Sequence, residues 1–457
     1  MASPTDAPAL DRLRRFEQSD RPVPWPDAPP EGSPGVQMAT SIVLPGLPTI
    51  RRVPVLGVLL FAIGVAVPIV LGAWVFAERD DIVSLALEPR FLTAVTVVGC
   101  AIVLTRLLAI AEVAHAFRRT SGIAGRTVVA TLIVLAMAVP VLLFSMRANQ
   151  ARTMVASVFG DGDPALYVPE QQVVDPATVT NILLLGGDAG PGRWGLRTDT
   201  VILVSINDAT GRTALVSVPR NLTRLQFPPG SPLAAEYPNG FDDLANAVFP
   251  HVSTSPELME YYGKDGRQPE AVALSEAIGY SLDVNIDDYA LVNMQGFTGI
   301  IDAVGGVTLD LSDSVPLPPS LPGEHPLPSS IGPGAVEMDG ATAIAYVRSR
   351  SADSDYQRMG RQRQLLAALG SQVSASEAIS GFGSVTGALA DSMRTSMSAG
   401  GFTSLLDRLG DDAAIGESVG LVPPLVTPGN PDYGQIRTII DAVERFVVTG
   451  EPSGYAA

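Results

Sequence analysis

The chain has a single cysteine, Cys100, in 457 residues. That excludes an intramolecular disulfide framework and any multi-cysteine zinc site. Histidine is nearly as scarce: His115, His251 and His325 lie far apart, so a local histidine metal cluster has no support, and any metal has to be held by carboxylates. Lysine is reduced to Lys264, the other basic residues being arginine. Charged side chains make up only 17% of the chain, and Lys and Arg (30) are outnumbered by Asp and Glu (47). The net charge of −17 argues against a general nucleic-acid binder.

What is abundant is apolar sequence, 46% of residues, with a mean hydropathy of +0.27. Residues 53–77 carry no charged side chain, nor do residues 127–146, and residues 91–111 are interrupted only by Arg106. A membrane-spanning helix needs about 20 apolar residues, so the pattern predicts three spans, at about 53–77, 91–111 and 127–146. The first begins too far into the chain for a cleaved signal peptide. Arg12, Arg14, Arg15, Arg21, Arg51 and Arg52 precede span one, and Arg118, Arg119 and Arg126 follow span two. The intervening loop holds Glu78, Asp80, Asp81 and Glu88 against Arg79 and Arg90. The positive-inside rule then places the N-terminus in the cytoplasm and everything beyond Met146 outside, with Arg106 close enough to the cytoplasmic end of its span to snorkel toward it. Charge divides along the same line: residues 1–146 hold 12 Arg and 11 acids, net +1, and the rest hold 18 basic and 36 acidic residues, net −18.

The expected organisation is a disordered cytoplasmic tail over 1–50, rich in Pro and charge, three transmembrane helices within 51–147, an extracytoplasmic stalk over 148–178 and a globular domain over 179–450. In that domain, apolar runs at 181–185, 201–206, 214–218, 289–293 and 307–311 read as strands, and 270–282, 295–304, 339–346 and 356–372 as helices, the third capped by Asp339. Proline- and glycine-dense 313–334 reads as a long loop. Strands mixed with helices imply an α/β fold with a mixed central sheet flanked by helices.

Two clusters could carry chemistry. Gly186-Gly187-Asp188 ends one strand, and Arg197-Thr198-Asp199-Thr200 opens the next, so Asp188 and Asp199 could offer two carboxylates to a hard divalent cation. The bland alternative makes them turn and cap residues. Arg348, Arg350, Arg358, Arg361 and Arg363 crowd into 16 residues of an acidic domain. Arginine forks bind phosphate oxygens bidentately, and with Arg197 and Arg220 they would make a pyrophosphate pocket. The alternative is a solvated helix face paired with Asp353 and Asp355.

The stretch NILLLGGDAGPGRWGLRTDTVILVSINDATGRTALVSVPR (181–220) resembles the LytR–CpsA–Psr family. So do YALVNMQGFTGIIDAVGGVTLD (289–310) and MDGATAIAYVRSRSADSDYQRMGRQRQLL (338–366), in family order and spacing. A weaker likeness covers 425–448, and three N-terminal spans resemble an actinobacterial subset. The resemblance implies an α–β–α sandwich acting as an extracytoplasmic, magnesium-assisted phosphotransferase. Such enzymes move a glycopolymer from a polyprenyl-pyrophosphate carrier to a cell-wall acceptor, usually peptidoglycan. It implies Asp188 and Asp199 as metal ligands. It implies Arg197, Arg220, Arg348, Arg350, Arg358, Arg361 and Gln362 around the pyrophosphate, with Arg197, Arg220 and Asp199 acting in catalysis. Many members have Lys-Ile-Asn-Ala where this chain has Leu244-Ala245-Asn246-Ala247, so the lysine is absent. Asp353 or Asp355 could take the acceptor proton. Two other readings stay open: a polyprenyl-linked pyrophosphatase with water as acceptor, and a non-enzymatic, membrane-tethered envelope regulator.

Overall fold

A computed structural model describes residues 33–77, 89–120, 122–160, 162, 165–170, 178–187, 198–264, 267–319, 326–349, 354–373, 392–409 and 415–456. The chain divides into two compact units, one of 1–86 with 90–150 and one of 87–89 with 151–457.

In the first unit, α1 (Pro34–Val43) is followed by α2 (Pro54–Phe61) and α3 (Val67–Ala77), which are joined by a π-helical turn over Ala62–Ala66; α4 (Pro89–Ala116) and the part of α5 (Ile123–Val158) up to Gln150 complete it. Pro54–Trp74 and Thr93–Ala116 are long and apolar enough to cross a membrane; α5 contributes a shorter apolar stretch, Ile123–Ala136. The expected tail ends earlier than residue 50. Met38 of α1 is buried with Ile110, Val113, Phe117, Ala130 and Val134, and Arg52 forks onto Glu112 at 2.9 and 2.8 Å, with Thr49 donating to the same carboxylate. Composition suggested a solvated segment; an apolar contact and a partly buried ion pair order it instead. Arg106 likewise has partners inside the unit, donating to the Ile42 and Ile102 carbonyls at 3.0 Å and to Gly64 of the π turn at 3.4 Å. An arginine among apolar helices needs such acceptors.

The second unit is built on a six-stranded mixed sheet in the order β10-β3-β2-β1-β4-β9. Its strands are β1 (Val179–Gly187), β2 (Thr198–Asn207), β3 (Thr213–Ser217), β4 (Asp288–Asn293), β9 (Met393–Thr395) and β10 (Ile415–Gly420). β1–β2, β2–β3 and β4–β9 pair antiparallel, β1–β4 and β3–β10 parallel. Alternation along β2 sends Val201 and Leu203 to one face and Val204 and Ile206 to the other. The first face is covered by α7 (Val248–Thr254), α8 (Pro256–Tyr262), α9 (Pro269–Leu282) and α14 (Tyr433–Thr449), numbered after a short α6 (Pro232–Glu236). On the second face, α13 (Ala399–Leu409) packs Leu405 against Ile182 and Ile206. A satellite core joins α10 (Met294–Ala303), the β5–β8 ribbon (Val307–Leu311, Gly334–Met338), α11 (Gly340–Arg348) and α12 (Asp355–Gln372). The sandwich with a mixed sheet is thus present. Among its described residues the long loop carries a small β6–β7 pair (Val315–Pro316, Ser330–Ile331).

The expected stalk is shorter than 148–178. Helix α5 runs on to Val158, and Phe159 stacks near Phe402 at 5.5 Å. Tyr167 bridges to Ile286. Aromatic and backbone contacts with the globular domain claim residues that composition left as a linker.

Glu444 of α14 is 6% exposed beneath this sheet, and among the described residues its hydrogen-bond partner is the Asn181 amide at 3.5 Å. Burial pushes its carboxyl up to about 7; Asn181 opposes, and Asp441, Asp283 and Asp287 add to the rise. A raised folded-state value stabilises the fold below the unfolded carboxylate range and loses that contribution as pH climbs through 7. Between pH 5 and 8 the parent chain is expected to lose roughly 3 kcal/mol through this group. Glu444→Gln, which cannot ionise, should lose correspondingly less. Melting temperatures at several pH values check this, and identical pH slopes for parent and variant would contradict it.

Candidate active site

The site grows from an irregularity in the sheet. Gly186 pairs with Thr200 and Gly187 with Thr198, so Asp199 is an extra, unpaired residue where the β1–β2 register shifts. Such bulges re-aim a side chain. Glycine is required at 186 because a Cβ there would lie 2.8 Å from the Thr200 Cβ. The re-aimed Asp199 carboxylate meets Arg220, three residues beyond β3. Arg220 donates through Nη1 to Asp199 Oδ1 at 2.6 Å and through Nε to Asp355 Oδ2 at 3.0 Å. Asp355 opens α12, whose N-terminus is fixed by a capping box between Ser354 and Gln357. One turn on, Arg358 donates through Nη2 to the Asp199 carbonyl at 3.1 Å and lies 3.1 Å from Asp355 Oδ1. Two guanidiniums and two carboxylates therefore interlock. Gln362, the next turn, donates to Thr200 Oγ1 at 2.8 Å and fastens the helix to the bulged strand.

Burial alone would raise the Asp199 carboxyl, but the hydrogen bond and charge of Arg220, the charge of Arg358 and the Asn246 amide hold it below the ordinary carboxylate range. Burial works against the Arg220 charge as well, yet Asp199 and Asp355 shift it upward. Both groups stay ionised at neutral pH.

Of the residues expected here, Asp199, Arg220, Arg358 and Gln362 come together. Arg361 donates to the Ser349 carbonyl at 2.5 Å and lies over the Tyr346 ring, bracing the end of α11. The resemblance implies that it shares the pyrophosphate with Arg358, but the two guanidiniums reach different elements. Arg348 is exposed on the last turn of α11. Asp188, Arg197, Arg350 and Asp353 lie outside the described residues. The alternative of a solvated arginine face does not hold for α12, where Arg358 is 3% exposed and Arg361 and Arg363 are each 8% exposed. Nor is Asp199 a turn or cap residue.

Asn246 is an additional member. It lies in a 3-10 turn, Ala245–Ala247, anchored by its N–H to the Arg220 carbonyl at 3.1 Å. Its amide donates to Asp199 Oδ1 at 3.4 Å, and its Oδ1 is buried without a partner. Segment 244–247 lacks the lysine that the family resemblance implies, but its Asn246 reaches the site.

The donor chemistry suits magnesium, which needs only one or two carboxylates when phosphate oxygens complete the shell. Asp199 supplies one carboxylate, and the orphaned Asn246 Oδ1 beside it is a second hard oxygen. Among the described residues no group of three or more His, Cys, Asp or Glu forms a protein-only cage.

Comparison with known proteins follows the same residues. The model of the LytR_cpsA_psr family matches residues 161–417. Biofilm regulatory protein A of Streptococcus mutans is 28% identical over 48% of this chain and 50% of its own length. The polyisoprenyl-teichoic acid–peptidoglycan teichoic acid transferase TagU of Oceanobacillus iheyensis is 28% identical over 56% of this chain and 71% of its own. A probable cell wall biosynthesis protein, LcpB, of Corynebacterium glutamicum is 32% identical over 40% and 35%. The chain thus spans about half the length of the streptococcal relative and about a third of the corynebacterial one.

Proposed function

Since the chain belongs to the LytR–CpsA–Psr family, we propose that it is a phosphotransferase. It moves a glycopolymer from a polyprenyl-pyrophosphate carrier to a cell-wall acceptor, peptidoglycan. The observation that carries this is the interlocked set Arg220–Asp199–Arg358–Asp355 at the end of the sheet. A relative named as a teichoic acid–peptidoglycan transferase supports the choice of acceptor.

In this reading an acceptor hydroxyl oxygen attacks the sugar-linked phosphorus. A new P–O bond forms, the bond from that phosphorus to the bridging oxygen breaks, and polyprenyl phosphate leaves. Charge builds on the bridging and peripheral oxygens, where Arg220 and Arg358 are already held by their carboxylates and need little reorganisation. Arg220 keeps Nη2 available for a phosphate oxygen, since Nη1 and Nε are the atoms bound to Asp199 and Asp355. Asp355, within the cluster, is our choice over Asp353 for the hydroxyl proton. Arg197, Arg348 and Arg350 would extend the pyrophosphate contacts. Magnesium, held by Asp199 with Asp188 and Asn246, would neutralise phosphate charge.

The same proposal places the domain outside the cell, on three spans with a cytoplasmic N-terminus. The arginine asymmetry of the loops supports this.

The test is transfer by the full-length chain in detergent, with a short-chain polyprenyl-pyrophosphate glycan, peptidoglycan strands and magnesium. Glycan joined to peptidoglycan should appear together with polyprenyl monophosphate. Chelating the metal should slow both by at least about tenfold. Monophosphate with no joined glycan would establish the pyrophosphatase reading instead. Release of neither would leave the envelope-regulator reading.

A further inference from the structure

Residues 32–50 precede the first apolar run, yet they carry no charged side chain. Helix α1 packs along α4, with Met38 buried among Ile110, Val113 and Phe117. Near its start, Gln37 Oε1 accepts from Arg52 Nη1 at 2.5 Å, and Arg52 is forked onto Glu112. Near its end, the Ile42 carbonyl accepts from Arg106 Nε at 3.0 Å. At helical rise, Gln37 to Ile42 is about 7.5 Å and Glu112 to Arg106 about 9 Å. The two measures agree: α1 descends along α4 from the level of the Arg52–Glu112 pair to the level of Arg106.

That level is deep. Arg106 also donates to the Gly64 carbonyl at 3.4 Å. Gly64 lies ten residues into the apolar helix that starts at Pro54, and Arg106 ten residues from the Ala116 end of the other. Each is about 15 Å from its helix end, half the thickness of a hydrocarbon core of about 30 Å. The chain turns there, at residues 44–46, and comes back to Arg52 along α2. Gly46 has a φ of +87°, which costs a glycine little. A Cβ on Gly46 would run into the Gly57 carbonyl oxygen, and one on Gly57 into the Ile50 backbone. A Cβ on Gly64 would lie 2.5 Å from Pro45 Cγ and 2.7 Å from Thr105 Oγ1. Three glycines thus seat the returning limb against α2 and the π turn.

The limb is built to do without water. Its Leu47, Thr49, Ile50 and Val53 N–H groups donate to carbonyls of the same turn at 2.8–3.2 Å, and Pro45 and Pro48 have no N–H. Arg106 takes the Ile42 carbonyl at the end of α1. Irregular backbone is tolerated at membrane depth only where its polar groups are paired and protein covers it. Pro45, Gly46 and Thr49 are buried. The side chains that point outward at the tip are apolar, Val43 at 66% and Leu47 at 43% exposure.

We propose that residues 34–53 form a re-entrant hairpin, entering the bilayer from the N-terminal side, reaching its middle and returning. Val43 and Leu47 contact lipid acyl chains, and Arg106 anchors the tip through the Ile42 carbonyl. The inference rests on the membrane reading above and adds an element to it that enters the bilayer without crossing.

Single cysteines in the full-length chain test it, on a Cys100→Ser background, in membranes sheared open so that both faces meet the reagent. The probe is a membrane-impermeant maleimide. Leu104, 57% exposed within α4, marks lipid, and Thr120, exposed just beyond α4, marks water. A thiol needs water to ionise and react, so V43C and L47C should label at least about tenfold more slowly than T120C, and about as slowly as L104C. Spin labels at V43C and L47C should collide more often with oxygen than with a water-soluble nickel chelate, whereas cover by protein would shield them from both. If V43C and L47C label as fast as T120C while L104C stays slow, the hairpin is overturned and the membrane reading stands. Spin labels shielded from both reagents have the same meaning. If L104C also labels at the T120C rate, the membrane reading has failed and the hairpin with it.

Discussion

Arg220→Ala should lower turnover of a polyprenyl-pyrophosphate glycan by about 100- to 1,000-fold, the usual cost of removing one preorganised donor to transition-state charge. The fold should survive, because Arg220 is a quarter exposed at the edge of the cluster. Arg220→Lys should recover only part of the loss. One ammonium cannot reproduce the split contact in which Nη1 serves Asp199 and Nε serves Asp355. The defect should fall on kcat more than on KM if the contact strengthens as the leaving oxygen gains charge. Arg358→Ala behaves differently, because its side chain is only 4% exposed. Removing it strands Asp199 and Asp355 with one cation between them and should cost about 3 kcal/mol of stability as well as activity. Arg445→Ala, on an exposed position of α14, should change stability by less than about 0.5 kcal/mol. Transfer kinetics and melting temperatures of the purified variants check the set. Equal, small losses at Arg220 and Arg445 would remove the cluster from the reaction.

An all-or-none outcome is expected for membrane topology. A reporter active only outside the cytoplasm should be active when fused after residue 160 and silent when fused near residue 120. The expectation rests on the arginines before the first apolar run and after the second. The first unit adds an independent constraint. Arg52, just ahead of α2, is bonded to Glu112, near the end of α4, so those two helix ends lie on the same side, as an up-and-down pair requires. Arg118 and Arg119 follow within two turns on that side. The reverse pattern of reporter activity would invert the domain into the cytoplasm and end the case for a cell-wall acceptor.

Some of this was plain from residue order. The long apolar runs, broken only by Arg106, announce α2–α3 and α4 because a helix crosses a bilayer only when it is long and apolar. The edges of β1 to β5 and of α9 to α12 fall within one to three residues of their sequence signals, because alternation, caps and glycine turns are local. Asp199, Arg220, Arg358 and Gln362 could be nominated because their spacing is that of a family, although nothing in the spacing says that a bulge turns Asp199 out of the ladder. Helix α14 has an N-cap at Asp432 and a clean apolar stripe through Ile436, Ile439, Ile440, Val443 and Val447. Those signals were available, but they lie beyond the strongest motifs.

The sequence alone determined which segments can span a membrane, where the acidic domain begins, and which arginines and aspartates are candidates for a phosphate site. These follow from composition and short-range order. Tertiary structure alone decided which candidates meet. Arg358 and Arg361 sit one turn apart, yet one crosses to a strand 159 residues away in sequence and the other turns back to Ser349. Asn246 joins Asp199 from a turn 47 residues away in sequence. Arg363 is left charged and nearly unpaired over a glycine. Each outcome depends on which distant side chain offers a carboxylate, a carbonyl or nothing. That is a long-range property of packing, and local patterns of residue type do not encode it.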